Sequence, residues 1–350
     1  MVTGHPWAKK ASGPGRLISV TNAVVIIVNY DSGERLHRCL LSVLAQQPPP
    51  RRVLVVDNAS TDGSAENLPQ GVELVQRPRN GGFAAALLDG LAASQEPFVW
   101  TLNPDLEVQP GCFAAAEAAL EADERTGSVA PRVLQQEAPD RIDATAIGIT
   151  SCLGQLNLGH DLHPDQVTAD SQLVLGPLGG AALWRRSALE KAGSFDPRYF
   201  LYWEDMDVAL RLHRVGYVCR TVPEACILHE GGGTVGHHSP RNVFYMVRNH
   251  WICLLRSLPG PILRERAGAL LVAPIRAALL YAGRGRGLSA LAGLICGVAM
   301  IPASLWSRRH LPRDASDDEA ATQIRDLMSE ADKNRAAMRK APPVAREVDR

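Results

Sequence analysis

Four groups of side chains in this sequence have types and spacings that suit chemistry. Asn29-Tyr30-Asp31, Asp57-Asn58 and Asn103-Pro104-Asp105 each close a short apolar run. Glu204-Asp205 precedes Val208, Leu212 and Val215, which recur at helical spacing. A carboxylate or amide at a strand end can leave a buried sheet and face a cleft, whereas one such residue alone is ordinary turn chemistry. Three consecutive strand ends of this kind point to a polar ligand site. Acids at a helix start are favoured in ionised form by the macrodipole, which suits a proton acceptor and equally suits a cap. His229 ends the run Ala225–Leu228 ahead of Gly231-Gly232-Gly233, where imidazole can ligate a metal or serve structure.

The elements that must position these groups alternate. Val24–Val28 reads as a buried parallel strand, followed by a helix carrying Leu36, Leu40, Leu41 and Leu44 and stopped before Pro48-Pro49-Pro50. Val53–Val56 is the second strand; a helix is expected after it, then an apolar Val72–Val75 segment. Asn80-Gly81-Gly82 leads into a helix bearing Ala84, Leu87, Leu88 and Leu91, and Phe98–Leu102 is the next strand. Strand and helix alternating at this spacing imply βαβ units and an α/β fold with a mostly parallel sheet, whose ligand site lies beyond the carboxyl ends of the strands. From about Ala130 to Leu175 the pattern is irregular and reads as an insert or antiparallel edge.

The 350 residues carry 37 basic and 37 acidic side chains, which gives no indication of nucleic-acid binding. Seven scattered cysteines without a Cys-x-x-Cys pair argue against a disulfide framework or structural zinc and fit a reducing compartment. Residues 1–20 lack a continuous apolar core and read as a flexible lead-in.

The ordered set of motifs resembles the inverting nucleotide-sugar glycosyltransferases of family 2, with a GT-A fold, and within them the rhamnosyltransferase-like branch. The resemblance spans about residues 22–250. It runs from Val25–Tyr30, through Val55–Gly63, Asn80–Ala84, Asn103–Asp105 and Gly179–Ala181, to Gly193–Asp196, Tyr202–Asp207 and His229–Thr234. It implies that Val28, Asn29, Tyr30, Asp57, Asn80, Gly81, Gly82 and Asn103 surround the nucleotide, with Asp57 accepting from the base. Asp105 and His229 would hold a divalent cation, Mn2+ or Mg2+, across the diphosphate. Asp205, seconded by Glu204, would deprotonate an acceptor hydroxyl, and Gly179, Gly180 and Trp203 would lie against the acceptor. Arg77 and Arg79 are candidate phosphate partners, and His237 and His238 candidate loop residues near them. Asn103 stands where many relatives have a second acid, which leaves Asp105 as the carboxylate ligand.

The implied donor is dTDP-rhamnose, with UDP-galactofuranose or a UDP-hexose as alternatives, and the implied acceptor is a polyprenyl-linked glycan at the cytoplasmic leaflet. A nucleotide-sugar-binding scaffold without turnover is the alternative outside enzymes; the presence of base, metal and acceptor motifs together argues against it. The glycosyltransferase domain is expected over 21–255, with its nucleotide half ending near 130. Residues 256–312 form an apolar, arginine-bearing segment. Gly287–Ser307 has no charge and is long enough to span a bilayer, yet has basic residues at both ends. Two helices lying on an anionic membrane surface are expected, a single span or a homo-oligomer contact being the alternatives. Residues 313–350 are expected as a short exposed helix and a loose tail.

Overall fold

Val24–Val28 has no polar side chain, so both faces of this strand must be covered. A computed structural model shows how; it describes residues 20–231, 239–314 and 317–340. The first half runs β1 (Ala23–Asn29), α1 (Glu34–Leu44), β2 (Arg52–Asp57), β3 (Val72–Gln76), α2 (Phe83–Ala92), β4 (Phe98–Leu102), β5 (Leu106–Val108) and α3 (Cys112–Glu121). The middle runs β6 (Thr126–Gln135), β7 (Ile142–Ala144), β8 (Ala146–Ile149), β9 (Gln155–Leu158), β10 (Leu173–Val174), β11 (Ala181–Arg185) and α4 (Arg186–Lys191). Then come α5 (Glu204–Arg214), β12 (Val218–His229), α6 (Pro240–Ser257), α7 (Gly260–Glu265), α8 (Ala267–Tyr281), α9 (Gly287–Ala299), α10 (Ile301–Arg309) and α11 (Asp317–Lys340).

The main sheet is ordered β10-β12-β6-β11-β4-β1-β2-β3, with β5 and β7 added at β12 and β6. β1 lies parallel between β2 and β4, and every one of its residues is buried. Ala23, Val25 and Ile27 pack on the side of α1 and α3, while Val24, Ile26 and Val28 pack on the side of α2, α4 and α5. This period of two is why an unbroken apolar run is stable here: each face has its own helical layer. β11 runs antiparallel to both β4 and β6, so the sheet is parallel on one flank and mixed on the other. The register sets Asn29 beside Asp57, and Asn103 follows β4 on the same edge.

Two expectations change. No helix forms between β2 and β3: Gly63, Asn67 and Gly71 have φ of 77°, 55° and 89°, and Asp62 accepts from the Ser64 and Gly33 N–H groups. With Pro69 among them, these breakers leave no helical stretch long enough to propagate. The last helix is 24 residues long, and Ala321, Ile324 and Met328 are buried beside Tyr199 and Met206. Its apolar stripe is docked onto the segment that carries Tyr199 and Met206, so it is not a free appendage. The apolar segment is interrupted between α8 and α9, where Arg284 and Gly285 leave helical geometry, Gly285 with φ 75°. Ala267–Ala299 is long and apolar enough to cross a membrane by length and composition. The break at Gly285 instead folds α9 back along α8 and α6. Leu271, Ile275 and Leu279 of α8 and Leu288, Leu291, Ile295 and Val298 of α9 remain exposed.

Candidate active site

The carboxyl ends of β1, β2 and β4 open onto a cleft of about 310 Å3. Val28, Tyr30, Asn80, Gly82, Asn103, Asp105 and His229 of the expected set line it. Asn29 and Asp57 lie beneath the cleft. Asn29 Nδ2 donates to Asp57 (2.9 Å), Ser60 (3.0 Å) and Ser64 (2.9 Å), and the Ser60 hydroxyl donates to Asp57 at 2.6 Å. Asp57 is 1% exposed, so its carboxylate ties two strand ends together and is already in use. Asn58, which the motif contains but to which no role was attached, organises the next turn. Its Nδ2 donates to Asn80 Oδ1 (3.0 Å) and its Oδ1 accepts from the Gly81 N–H (3.0 Å) and from Arg77 (2.7 Å). Arg77 also pairs with Asp89 at 2.6 Å, so it braces this turn and is not a free phosphate partner; Arg79 is exposed. Gly82 has φ 88° and lies against the Phe200 backbone, where a Cβ would collide. Phe200, Leu201 and Tyr202, which were given no role in advance, thereby become the opposite wall.

At the other end of the cleft, His229 Nε2 stands 3.5 Å from Asp105 Oδ2, and its Nδ1 is 2.9 Å from Asp143 Oδ2. Asp143 also faces His160, whose Nδ1 is 2.9 Å from the Asp143 carbonyl oxygen. Burial alone would lower the His229 imidazole, but Asp105 and Asp143 outweigh it and hold it up at about 10. His160 is raised to about 9, chiefly by the Asp143 carboxylate. Burial opposes ionisation of Asp143 as well, yet the two histidines hold it below the usual carboxylate range. Asp105 Oδ1 is buried and has no hydrogen-bond partner. An orphaned carboxylate oxygen beside an imidazole nitrogen is a donor set that fits Mn2+ or Mg2+. Among the described residues no three His, Cys, Asp or Glu side chains converge to hold a metal alone, so substrate oxygens would complete such a shell. Gly232, Gly233, Thr234, His237 and His238 lie outside the described residues.

Glu204 and Asp205 open α5, as their spacing predicts. The Gly179 N–H donates to Asp205 Oδ2 at 3.2 Å, and the Met206 N–H to Asp205 Oδ1 at 2.7 Å. The neighbouring Gly180 carbonyl accepts from the Asn103 N–H at 2.7 Å, and a Cβ at Gly180 would strike the Asn103 side chain. Two glycines thus join the acid pair to the turn after β4. Burial pushes both carboxyls up, Glu204 further through the Asp205 charge, while the backbone N–H groups partly restrain Asp205. Glu204 Oε2 is buried without a partner. Trp203 does not line the donor cleft. Its ring is 4% exposed and stacked on His250 at 4.5 Å, and its N–H donates to the Met246 carbonyl at 3.1 Å. That leaves it anchoring the loop behind the cleft wall, with its ring occupied. Phe200, Tyr202 and Trp203 all have positive φ, and Asn249 holds this strained loop by donating to the Tyr199, Leu201 and Tyr202 carbonyls at 2.8–2.9 Å.

An open sheet with a polar cleft at its strand ends, flanked by an acid pair on a helix start, is the frame of an enzyme that handles a nucleotide-linked group. Residues 24–193 match the family model for glycosyl transferase family 2. The chain is 29% identical over 258 residues to the N-acetylglucosaminyl-diphospho-decaprenol L-rhamnosyltransferase of Mycobacterium tuberculosis, covering 64% of this chain and 84% of that one. It is 26% identical over 223 residues to the galactofuranosyltransferase GlfT1 of Mycolicibacterium smegmatis, covering 59% and 70%. The mannosyltransferase PcManGT of Pyrobaculum calidifontis, solved with GDP-Man and Mn2+, shares the fold with a TM-score of 0.52 at 19% identity, over 92% and 89% of the two chains. The match over residues 24–193 and the shared fold agree with the family 2, GT-A reading that the motif series implies.

Proposed function

We propose that the chain transfers L-rhamnose from dTDP-rhamnose onto a lipid-linked glycan acceptor, with inversion, at a membrane surface. The observation that carries this reading is the Gly179-Gly180 dipeptide, whose backbone meets Asp205 on one side and Asn103 on the other. It brings a proton acceptor and the phosphate-side turn to one floor. The nucleoside lies against Val28, Tyr30 and Asn80, over the Asn29–Asp57 tie, and the Asn80–Gly82 turn at the start of α2 faces the diphosphate. Asp105 and His229 would hold Mn2+ or Mg2+, which supplies positive charge to the departing diphosphate when bound. The acceptor oxygen attacks the anomeric carbon while its proton passes to the Asp205 carboxylate, and the sugar–phosphate bond breaks with its electron pair on the nucleotide. An Asp205 pKa raised by burial strengthens that base. The exposed leucines of α8 and α9, among arginines, support attachment to the inner face of the membrane.

The names of the relatives support the choice of sugar, the rhamnosyltransferase at 29% identity and the galactofuranosyltransferase at 26%. The second makes UDP-galactofuranose the specific rival. Calorimetry with dTDP-rhamnose, UDP-galactofuranose, UDP-glucose and GDP-mannose, each with and without Mn2+, decides between them. Metal-dependent binding of dTDP-rhamnose at least tenfold tighter than the others is expected. Preference for UDP-galactofuranose would overturn the donor, and absence of any binding by folded protein would overturn the transferase reading.

A further inference from the structure

Behind the Phe200–Trp203 loop lies a second cavity of about 460 Å3 that the donor cleft does not use. Trp203 and His250 form its floor. Ala273, Arg276, Ala277 and Leu280, successive positions on one face of α8, form one wall. The Thr150–Gln155 turn and Arg335 of α11 form the other. No Asp or Glu lines it, and among the described residues neither Arg276 nor Arg335 has a carboxylate partner. Asp332, three residues before Arg335 on α11, accepts from the Ser151 N–H at 3.2 Å.

Two features give the cavity a direction. Its floor residue Trp203 is bonded in the chain to Glu204, whose Oε2 is buried and unpartnered, so the floor and the acid pair share the start of α5. Its α8 wall ends at Leu280, 55% exposed, and the outer side of α8 carries Leu271, Ile275 and Leu279, also exposed. An anion-seeking cavity beside the acid pair, on a helix that exposes apolar side chains, matches a molecule with a sugar, a diphosphate and a long hydrocarbon chain in that order.

We propose that this cavity receives the diphosphate and first isoprene units of the acceptor, with Arg276 and Arg335 on the diphosphate and the chain leaving past Leu280. The inference rests on the transferase reading above for the acceptor's class. Cys152 lines the cavity and is exposed, Cys39, Cys112, Cys219 and Cys253 are buried, and Cys226 and Cys296 are half-buried, so alkylation read at Cys152 by peptide mass spectrometry reports occupancy. The full chain is labelled with a maleimide in the presence of geranylgeranyl diphosphate, inorganic diphosphate or phosphatidylglycerol vesicles. In parallel, binding of dTDP with Mn2+ is measured by calorimetry. Geranylgeranyl diphosphate is expected to slow Cys152 labelling at least tenfold, and inorganic diphosphate at the same concentration less than twofold. The Arg276→Gln/Arg335→Gln double variant is expected to need at least tenfold more geranylgeranyl diphosphate for the same protection, with dTDP binding unchanged.

Unchanged Cys152 labelling, equal protection in the double variant, or equal protection by the vesicles would overturn the subsite. If dTDP binds in that case, the transferase reading stands without it. Arginine-dependent protection with no nucleotide binding would leave the subsite standing and remove the donor assignment.

Discussion

The first turn of α5 holds two regions with opposite electrostatics. On one face, Asp207 is completely buried and clamped by Arg211 at 2.7 Å, with Arg256 and the Ser257 hydroxyl also bonded to it. Burial works against that charge, but the two guanidinium groups outweigh it and hold Asp207 well below the usual carboxylate range. On the other face, Glu204 and Asp205 have no basic partner among the described residues, and burial holds both above that range. One helix start thus carries a charge-paired carboxylate and an unpaired acid pair. The difference is whether a counter-charge reaches the carboxylate, and for Asp207 it comes from Arg211 on α5 itself and Arg256 on α6. The Arg256–Asp207 contact therefore joins the C-terminal helices to α5, with Ser307 of α10 accepting from Arg256 and Arg198 at 3.0 Å each.

The contrast can be broken most sharply at Asp205. Asp205→Asn should lower turnover by about 10²–10⁴-fold, the range for loss of a general base. Its Tm should stay within a degree or two and nucleotide binding should persist; a collapse in Tm would show that Asp205 is an anchor like Asp207. Asp207→Ala should do the reverse, costing about 3–5 kcal/mol of stability because two buried cations lose their partner. Urea unfolding measures this, and a loss under about 1 kcal/mol would show that the cluster is slack. Asp143→Asn should weaken Mn2+ binding by about 10–100-fold through misorientation of His229, read by calorimetry with dTDP present. An unchanged metal affinity would confine Asp143 to a structural role.

The smallest effect concerns pH. Carboxyls with raised folded-state pKa values keep more protons than the unfolded chain, so their contribution to stability is complete below about pH 4 and is lost as pH rises towards the folded values. Stability of the native chain should therefore fall between pH 5 and 8, and Glu204→Gln should flatten that slope, by on the order of 1 kcal/mol at pH 8. Asp207 has the opposite linkage: its contribution is present above about pH 4 and disappears only under stronger acid. An unaltered slope in Glu204→Gln would remove Glu204 from the raised pair.

Much of the donor side is legible in the sequence because its signals are local. Apolar runs ending in Asn or Asp mark strand ends, and a parallel sheet aligns those ends on one edge whatever the loops do. The Asn80-Gly81-Gly82 turn and the helix start at Glu204 can be found in the same way. Asp143 and His160 cannot. They sit in the insert where periodicity fails, and only β7 pairing with β6 carries Asp143 to His229, 86 residues away in the chain. Trp203 is legible only in part for a related reason: its place next to the acids is in the sequence, but the stacking of its ring on His250, from a helix that begins much later, is not.

Short-range chemistry thus determined the sheet, its ligand edge, the family's motif order and the helix carrying the acids. Tertiary structure alone decided which carboxylates would be paired, which aromatic rings would be covered and where the last helix would dock. The physical reason is range. Backbone pairing and side-chain periodicity are written within a few residues, whereas burial and counter-charge depend on groups that come together only when the chain folds. Asp205 and Asp207 are two residues apart in sequence, and Arg256 reaches one of them.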